Sequence, residues 1–165
     1  MIKSFIVYTT RYIVAALPGS VFRCLRVRIW RTVGFQLDKT VNIYLRAVLD
    51  SGKIIVGKNT FIGNDVLITG GTISIGKNCD IVPQCIIHAG FHNIGNHERR
   101  AGKSYAGEII IGDGTWIGTG AIVLLGAYIG KGCVVAGGTV VKAVIYPDNS
   151  LLAGCPAIIK KFLED

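Results

Sequence analysis

IGDGTWIGTGAIVLLGAYIGKGCVVAGGTVV, residues 111–141, carries an aliphatic residue at every sixth position: Ile111, Ile117, Val123, Ile129, Val135 and Val141. The same beat runs through Ile75, Ile81 and Ile87. Before them it runs through Val56, Ile62 and Ile68, with one additional residue between Ile68 and Ile75. Glycine often follows the aliphatic residue (Gly57, Gly63, Gly76, Gly112, Gly118, Gly130). The fifth position is small or β-branched: Thr60, Val66, Thr72, Cys79, Cys85, Thr115, Ala121, Ala127, Cys133, Thr139. A period of six matches neither the alternation of a strand nor the turn of a helix. It is the mark of a hexapeptide solenoid, in which each hexad supplies a short strand and a corner. The aliphatic residue points inward and stacks on its equivalent one coil away, and the fifth position is small because three such residues converge inside each coil. The expected fold class is an all-β solenoid, spanning residues 38–157.

Half of the 165 residues are hydrophobic, 22 are glycine and 17% are charged, which suits a single glycine-cornered domain with an aliphatic interior. The formal charge of +8 is uneven. Residues 1–40 hold Lys3, Arg11, Arg23, Arg26, Arg28, Arg31 and Lys39 against Asp38, a net of +6, while the repeats are nearly neutral. This argues against a general nucleic-acid surface and for a localised basic element. The five cysteines have no metal-type spacing, and three of them occupy the fifth position of a hexad, so they read as small core residues in a reducing compartment.

Residues 1–37 lie outside the beat. They predict an apolar helix ending at Leu17-Pro18-Gly19. A second helix follows over Val21–Val33, with Leu25, Ile29 and Val33 on its apolar face and Arg23, Arg26 and Arg31 elsewhere on its surface. Arg11 interrupts the first apolar run, so neither a membrane span nor a signal peptide is expected. Two compatible roles stay open: a cap over the end of the coil stack, and a peripheral contact with an anionic membrane through a basic face bearing Tyr8, Tyr12 and Trp30. Residues 158–165 are expected to form a short C-terminal helix or tail.

The beat breaks once. Asn93, Arg99 and Tyr105 would fall at aliphatic positions, yet Ile111 resumes in phase with Ile87. Residues 93–108 are therefore an excursion from the wall, and a long loop in a compact repeat is more often functional than accidental. His88, His92 and His97 all lie at or inside it. A histidine with no role, a metal ligand and a general base compete there. His92 and His97 share a five-residue spacing with the gamma-class carbonic anhydrases, but no histidine precedes His88 to supply their third ligand, so no metal is expected. Neutral imidazole is suited to taking a hydroxyl or amine proton near pH 7.

Ile-Gly-Asp-Gly-Thr-Trp-Ile-Gly (111–118), Val-Val-Ala-Gly-Gly-Thr-Val-Val (134–141) and Ala-Gly-Cys-Pro-Ala (153–157) resemble the hexapeptide-repeat acyltransferases. The resemblance covers residues 40–161. It is nearest the galactoside, maltose and nodulation-factor acetyltransferases and the polysaccharide O-acetyltransferases. Leu17-Pro18-Gly19-Ser20 and the arginines after it resemble the capsule and colanic-acid members. The resemblance implies a left-handed parallel β-helix, a homotrimer and acetyl-CoA as acyl donor. His92, followed by the Arg99-Arg100 turn, matches the family's base, with His88 as second choice. Asn64 lies near a family asparagine associated with the acceptor, although Ile62 occupies the better-known place. His88, Arg99 and Arg100 join Asn64 as candidate acceptor contacts. Trp116, Thr119, Gly137, Lys142, Lys160 and Lys161 are the acetyl-CoA candidates: a flat apolar surface, corner backbone along the wall, and point charges for phosphates.

The expected function is an acetyl-CoA-dependent O-acetyltransferase acting on a sugar hydroxyl in surface polysaccharide or glycolipid synthesis. It would lie in the cytoplasm, at the inner face of the membrane if the basic segment binds there. N-acetylation of an amino sugar, acetylation of a small alcohol or antibiotic, and a non-catalytic scaffold are the rivals. A scaffold would be indifferent to acetyl-CoA and to loss of His92.

Overall fold

The computed structural model describes residues 2–18, 21–50 and 52–164, with side chains from Ile6 onward. The repeats form a parallel β-helix of six coils whose strands line up on three faces. The first face holds Gln36–Leu37, Lys53–Val56, Thr72–Ile75, Glu108–Ile111, Tyr128–Ile129 and Ile145–Tyr146. The second holds Asn42–Ile43, Phe61–Ile62, Asp80–Ile81, Trp116–Ile117, Val134–Val135 and Ser150–Ala153. The third holds Val48–Asp50, Leu67–Thr69, Ile86–His88, Ile122–Leu124 and Val140–Val141.

The six-residue beat becomes three interior columns. Ile43, Ile62, Ile81, Ile117, Val135 and Leu152 pair in register on the second face, and all are fully buried. Ile81 stacks directly on Ile117 despite the break between them. A slip of one residue would turn every aliphatic side chain outward, so the buried columns fix the register.

The fifth position does more than save space. Along one corner, Thr60 Oγ1 donates to Gly76 O (2.8 Å) and Thr115 Oγ1 to Gly130 O (2.9 Å). Cys79 Sγ reaches Gly112 O (3.2 Å) and Cys133 Sγ reaches Pro147 O (3.2 Å). Each hydroxyl or thiol satisfies a corner carbonyl of the next coil, a group that would otherwise be buried without a partner. On the first face the small-residue expectation holds at Ala127 and fails at Thr72. Ile73 points inward there and Thr72 lies half-buried, because the additional residue at Gly70-Gly71 shifts the phase by one. Gly71 has φ +50°, and a Cβ on it would collide with the carbonyl oxygen of Gly107. Only glycine fits where the chain returns to the wall.

The N-terminal end of the stack is covered by two helices, and the C-terminal end is extended by a strand on one face. Helix α1 (Ile2–Ala16) buries Val7, Thr10 and Val14, and helix α2 (Arg23–Thr32) buries Arg26, Val27 and Trp30. Gly19 and Ser20 of the expected turn lie outside the described residues. The buried face of α2 differs from the expected one. Leu25 is exposed, whereas Trp30 packs on Phe35 with ring centroids 5.6 Å apart. Trp30 is therefore a core residue and not a surface anchor. Arg26, expected on the surface, is fully buried, and its guanidinium donates to Leu17 O (2.6 Å) and Ile43 O (3.3 Å). It ties the end of α1 and the first coil to α2, and burial lowers its pKa from the ordinary arginine value. At the other end the expected C-terminal helix is a strand. Ile158–Phe162 runs antiparallel to Ser150–Ala153. Ile158, Ile159 and Phe162 are good strand residues, and the added strand pairs backbone groups that the last coil would leave open. No helix among the described residues is long and apolar enough to cross a membrane.

Burial also decides cysteine reactivity. Desolvation raises the thiol pKa of Cys79 and Cys133 and pushes that of Cys85 up to about 11, while Cys24 and Cys155 are exposed. A maleimide at pH 8 is expected to label Cys24 and Cys155 in the native protein, and Cys79, Cys85 and Cys133 only after denaturation. Rapid native labelling of any of these three would contradict the packing described.

Candidate functional site

The break in the repeat is an antiparallel β-hairpin. Its strands are Gly90–Ile94 and Ala101–Ala106, so the excursion starts at Gly90, before the residue at which the beat visibly fails. It leaves the solenoid at the corner between the third and first faces. Gly107 N–H donates to Ala89 O (3.0 Å) and Thr72 N–H to Gly107 O (2.8 Å), which closes its base. At its tip, Asn96 Oδ1 accepts from the backbone N–H of Glu98 and Arg99, and Arg100 folds its guanidinium back onto Gly95 O (3.3 Å). Arg100 thus helps to hold the tip, while Arg99 and His97 are exposed.

His92 lies opposite Ser104 in the hairpin ladder. Its Nδ1 is 2.8 Å from the carbonyl oxygen of Gly102. A carbonyl only accepts, so Nδ1 carries the proton and Nε2 is left as an acceptor with a free lone pair. The residue is exposed on the hairpin. His88 ends the third-face strand and lies half-buried, its ring against Gly90, where an added Cβ would approach it to 3.2 Å. It sits at the hairpin base and not along its strand.

Alternation sends Phe91 and Tyr105 to the opposite side of the hairpin from His92 and Ser104. There they stand edge to face, 6.0 Å between centroids. With Leu124, Leu125, Ala143 and Lys142 they line a cleft of about 330 Å3. Lys142 therefore sits on the far side of the hairpin from His92. A larger cleft of about 780 Å3, between Arg31, Lys58, Lys77 and the first-face strands, contains none of the expected site residues.

The other expected cofactor residues gather elsewhere. Trp116, Val134, Leu151 and Lys161 are register partners across the outside of the second face. They make one row: an exposed indole, two aliphatic side chains and a cation, spanning about 14 Å at strand spacing. Lys160 is its neighbour, at a bulge in the terminal strand. Thr119 and Gly137 lie beside this row at the corner between second and third faces, where Gly138 N–H donates to Thr119 O (2.9 Å). Asn64 is on the same corner two coils away, next to Asp65, which holds Arg46 through two hydrogen bonds (2.6 and 2.8 Å). The expected site residues thus fall in two groups. His88, His92, Arg99 and Arg100 share the hairpin corner, Asn64, Thr119, Gly137 and Trp116 lie at the next corner, and the third face separates them.

Residues 53–82 match the model of the hexapeptide repeat of succinyl-transferase, and residues 108–143 match the bacterial transferase hexapeptide model of six repeats. The chain is a hexapeptide-repeat protein. It is 37% identical over 116 residues to a candidate acetyltransferase of Saccharomyces cerevisiae, covering 66% of this chain and 59% of that one. It is 34% identical over 83 residues to a galactoside O-acetyltransferase of Lactococcus lactis, covering 50% of this chain and 40% of that one. The hexapeptide-repeat chain therefore spans about half the length of these relatives. Among solved structures, a galactoside acetyltransferase in complex with coenzyme A superimposes with a TM-score of 0.83 at 24% identity, over 99% of this chain and 82% of that one. That likeness carries the fold alone, a left-handed parallel β-helix.

Sequence reasoning missed Gly102 and Ser104, the residues that set the environment of His92, and the Phe91–Tyr105 side of the hairpin. The Gly95…Gly102 spacing between polar segments carries the hairpin signal, which the expected excursion over 93–108 does not resolve into strands. Nitrogen-15 spectra at pH 8 are expected to show His92 as the tautomer protonated at Nδ1. A predominantly Nε2-protonated ring would contradict the hydrogen bond to Gly102.

Proposed function

We propose that this chain is an acetyl-CoA-dependent O-acetyltransferase acting on a sugar hydroxyl, working as a homotrimer in the cytoplasm. The observation that carries the proposal is the His92 imidazole, tied at Nδ1 to the Gly102 carbonyl, with Nε2 left as the acceptor. Nε2 takes the proton of the acceptor hydroxyl as its oxygen attacks the thioester carbonyl. Charge on the imidazolium is eased by the Nδ1–H···O bond. A backbone N–H in the cleft steadies the tetrahedral oxyanion. Collapse breaks the carbon–sulfur bond, and the departing thiolate recovers the proton from Nε2. The products are an acetyl ester and free CoA thiol.

The row Trp116–Val134–Leu151–Lys161 supports acetyl-CoA as donor, with an apolar surface for the pantetheine arm or adenine and a cation for phosphate. The exposed Arg99 and the Asn64 corner are polar enough for a glycan, and the names of the matched relatives include a galactoside O-acetyltransferase. Acceptors of surface polysaccharide or glycolipid type fit a site that is open on the hairpin side.

Assembly is supported by three features. The two groups of expected site residues lie apart on one chain, with the third face between them. The third face between them carries an outward aliphatic ladder, Val48, Leu67, Ile86, Ile122 and Val140. The hairpin leaves Phe91, Tyr105 and Ile94 exposed, and an isolated two-stranded hairpin is marginal in water. Neighbouring copies that bury this face bring one chain's hairpin to the other's Trp116–Thr119 corner.

The test is acetyl-CoA turnover against a panel of mono- and oligosaccharides, read as free thiol. His92→Ala is expected to lower turnover by about 10²–10⁴ and leave acetyl-CoA affinity nearly unchanged. Near-normal turnover of this variant alongside an inactive His88→Ala would transfer the base role to His88. An active monomer in sedimentation at assay concentration would overturn the trimer.

A further inference from the structure

The first 37 residues contain six cations and no acidic residue. Five of their side chains are described, Arg11 half-buried on α1 and four on α2. Arg26 is consumed inside the cap, whereas Arg23, Arg28 and Arg31 on α2 are exposed. Helix α1 packs one side on the solenoid and leaves Ile6, Tyr8, Tyr12, Ile13, Ala15 and Ala16 exposed. Among its described side chains the outward surface holds no charged group other than the half-buried Arg11. A water-facing helix normally carries its polar residues outward. This one exposes Ile6 and Ile13 beside the amphipathic Tyr8 and Tyr12, which is the pattern of a helix whose outward side meets a boundary between water and an apolar phase. Val21 (83% exposed), Phe22 and Leu25, at the start of α2, extend the apolar surface.

Tyr8, Arg11 and Tyr12 add a local signature. The Arg11 guanidinium carbon stands 4.6 Å and 5.0 Å from the two ring centroids, and Tyr12 Oη donates to Tyr8 Oη (2.9 Å). Tyrosine, with an apolar ring and a polar tip, favours the boundary between hydrocarbon and water. Arginine offers paired donors to phosphate. Together the exposed Ile6 and Ile13, the exposed arginines and two helices that carry no acidic residue select the occupant, the carboxylates acting on them being Asp50 beside Arg11 and Asp38 beside Arg31. A second copy docked on this face would set like charge against like charge. A helix of 15 residues is too short to span the bilayer core.

We infer that the two N-terminal helices form a peripheral docking surface for an anionic lipid bilayer. Helix α1 lies in the headgroup plane with Ile6 and Ile13 directed into the acyl boundary, and Arg23, Arg28 and Arg31 meet lipid phosphates. Equivalent points of a threefold assembly lie in one plane normal to the axis, so the trimer proposed above would press three such caps onto one surface. The hairpin leaves the third coil, on the order of 10–15 Å from the cap at strand spacing, within reach of a glycan standing on a lipid headgroup. Lipid binding itself is independent of acyl transfer, and its test reads no turnover.

The experiment is co-sedimentation with phosphatidylcholine vesicles containing increasing phosphatidylglycerol, in low and high salt. Wild type is expected to pellet with the anionic vesicles and to be released by high salt. A variant with Arg23, Arg28 and Arg31 all changed to Gln is expected to lose about 100-fold in partitioning, since each cation near an anionic leaflet contributes about fivefold. Ile6→Gln with Ile13→Gln is expected to weaken binding about tenfold or more with salt sensitivity retained. Unchanged circular dichroism and sedimentation of both variants separate loss of binding from loss of folding, because every substituted side chain is exposed or half-exposed. Failure of wild type to pellet, equal binding to neutral vesicles, or wild-type partitioning by the arginine variant would overturn the inference. So would an apolar-face-dependent association of copies without vesicle binding.

Discussion

Every coil of this solenoid is held to the next by in-register backbone hydrogen bonds, so each interior column must repeat nearly the same volume from coil to coil. That constraint explains the aliphatic beat, and it explains why the fifth position alternates among threonine, cysteine and alanine. The corner carbonyls turn inward, and the Thr60, Cys79, Thr115 and Cys133 side chains reach those of the following coil. Interior packing and interior polar satisfaction are therefore met by the same residues. Cysteine in this chain is a core residue in two of those positions, with a thiol used as a weak donor and kept from reacting by burial.

A wall so constrained leaves little freedom for chemistry, and the chain departs from it in two kinds of place. One is the hairpin between the third and first faces, which hangs His92 outside the wall and fixes its tautomer through Gly102. The other is the outer surface, where strand residues that point away from the core are free to vary. Trp116, Val134, Leu151 and Lys161 share a row there only because the coils are in register. The His92 imidazole lies at one corner of the triangle and this row on the second face, with the third face between them. The proposed chemistry, which needs both, draws them from two chains.

Much of the fold was legible in the sequence, because a six-residue aliphatic period has few physical solutions and the return of Ile111 in phase with Ile87 marks an insertion and not a second domain. The two ends were less legible. The C-terminal Ile158–Phe162 has no periodicity to separate a short helix from a strand, and the open sheet edge decided it. In α2 the sequence placed Arg26 outward by charge, but two carbonyls, Leu17 O and Ile43 O, made a buried guanidinium affordable in free energy. His92 stood out as one of three histidines clustered at the break. What lay beyond the sequence was the geometry around it: the hairpin pairing with Ser104, the Gly102 acceptor, and the assignment of Lys142 to the far side of the hairpin.

The central claim is that the working site is shared between neighbouring copies, His92 coming from one and the Trp116–Thr119 corner from another. Mixing subunits tests it most directly. Two inactive, folded variants, His92→Ala and Thr119→Trp, are each assembled alone and then co-refolded at equal amounts. A shared site predicts recovered acetyl transfer in the mixture, because some interfaces pair an intact His92 with an intact Thr119 corner. If the mixture remains as inactive as its parents while subunit exchange is demonstrated by mass, each chain must use its own His92 and its own Thr119, and the two-copy site is wrong.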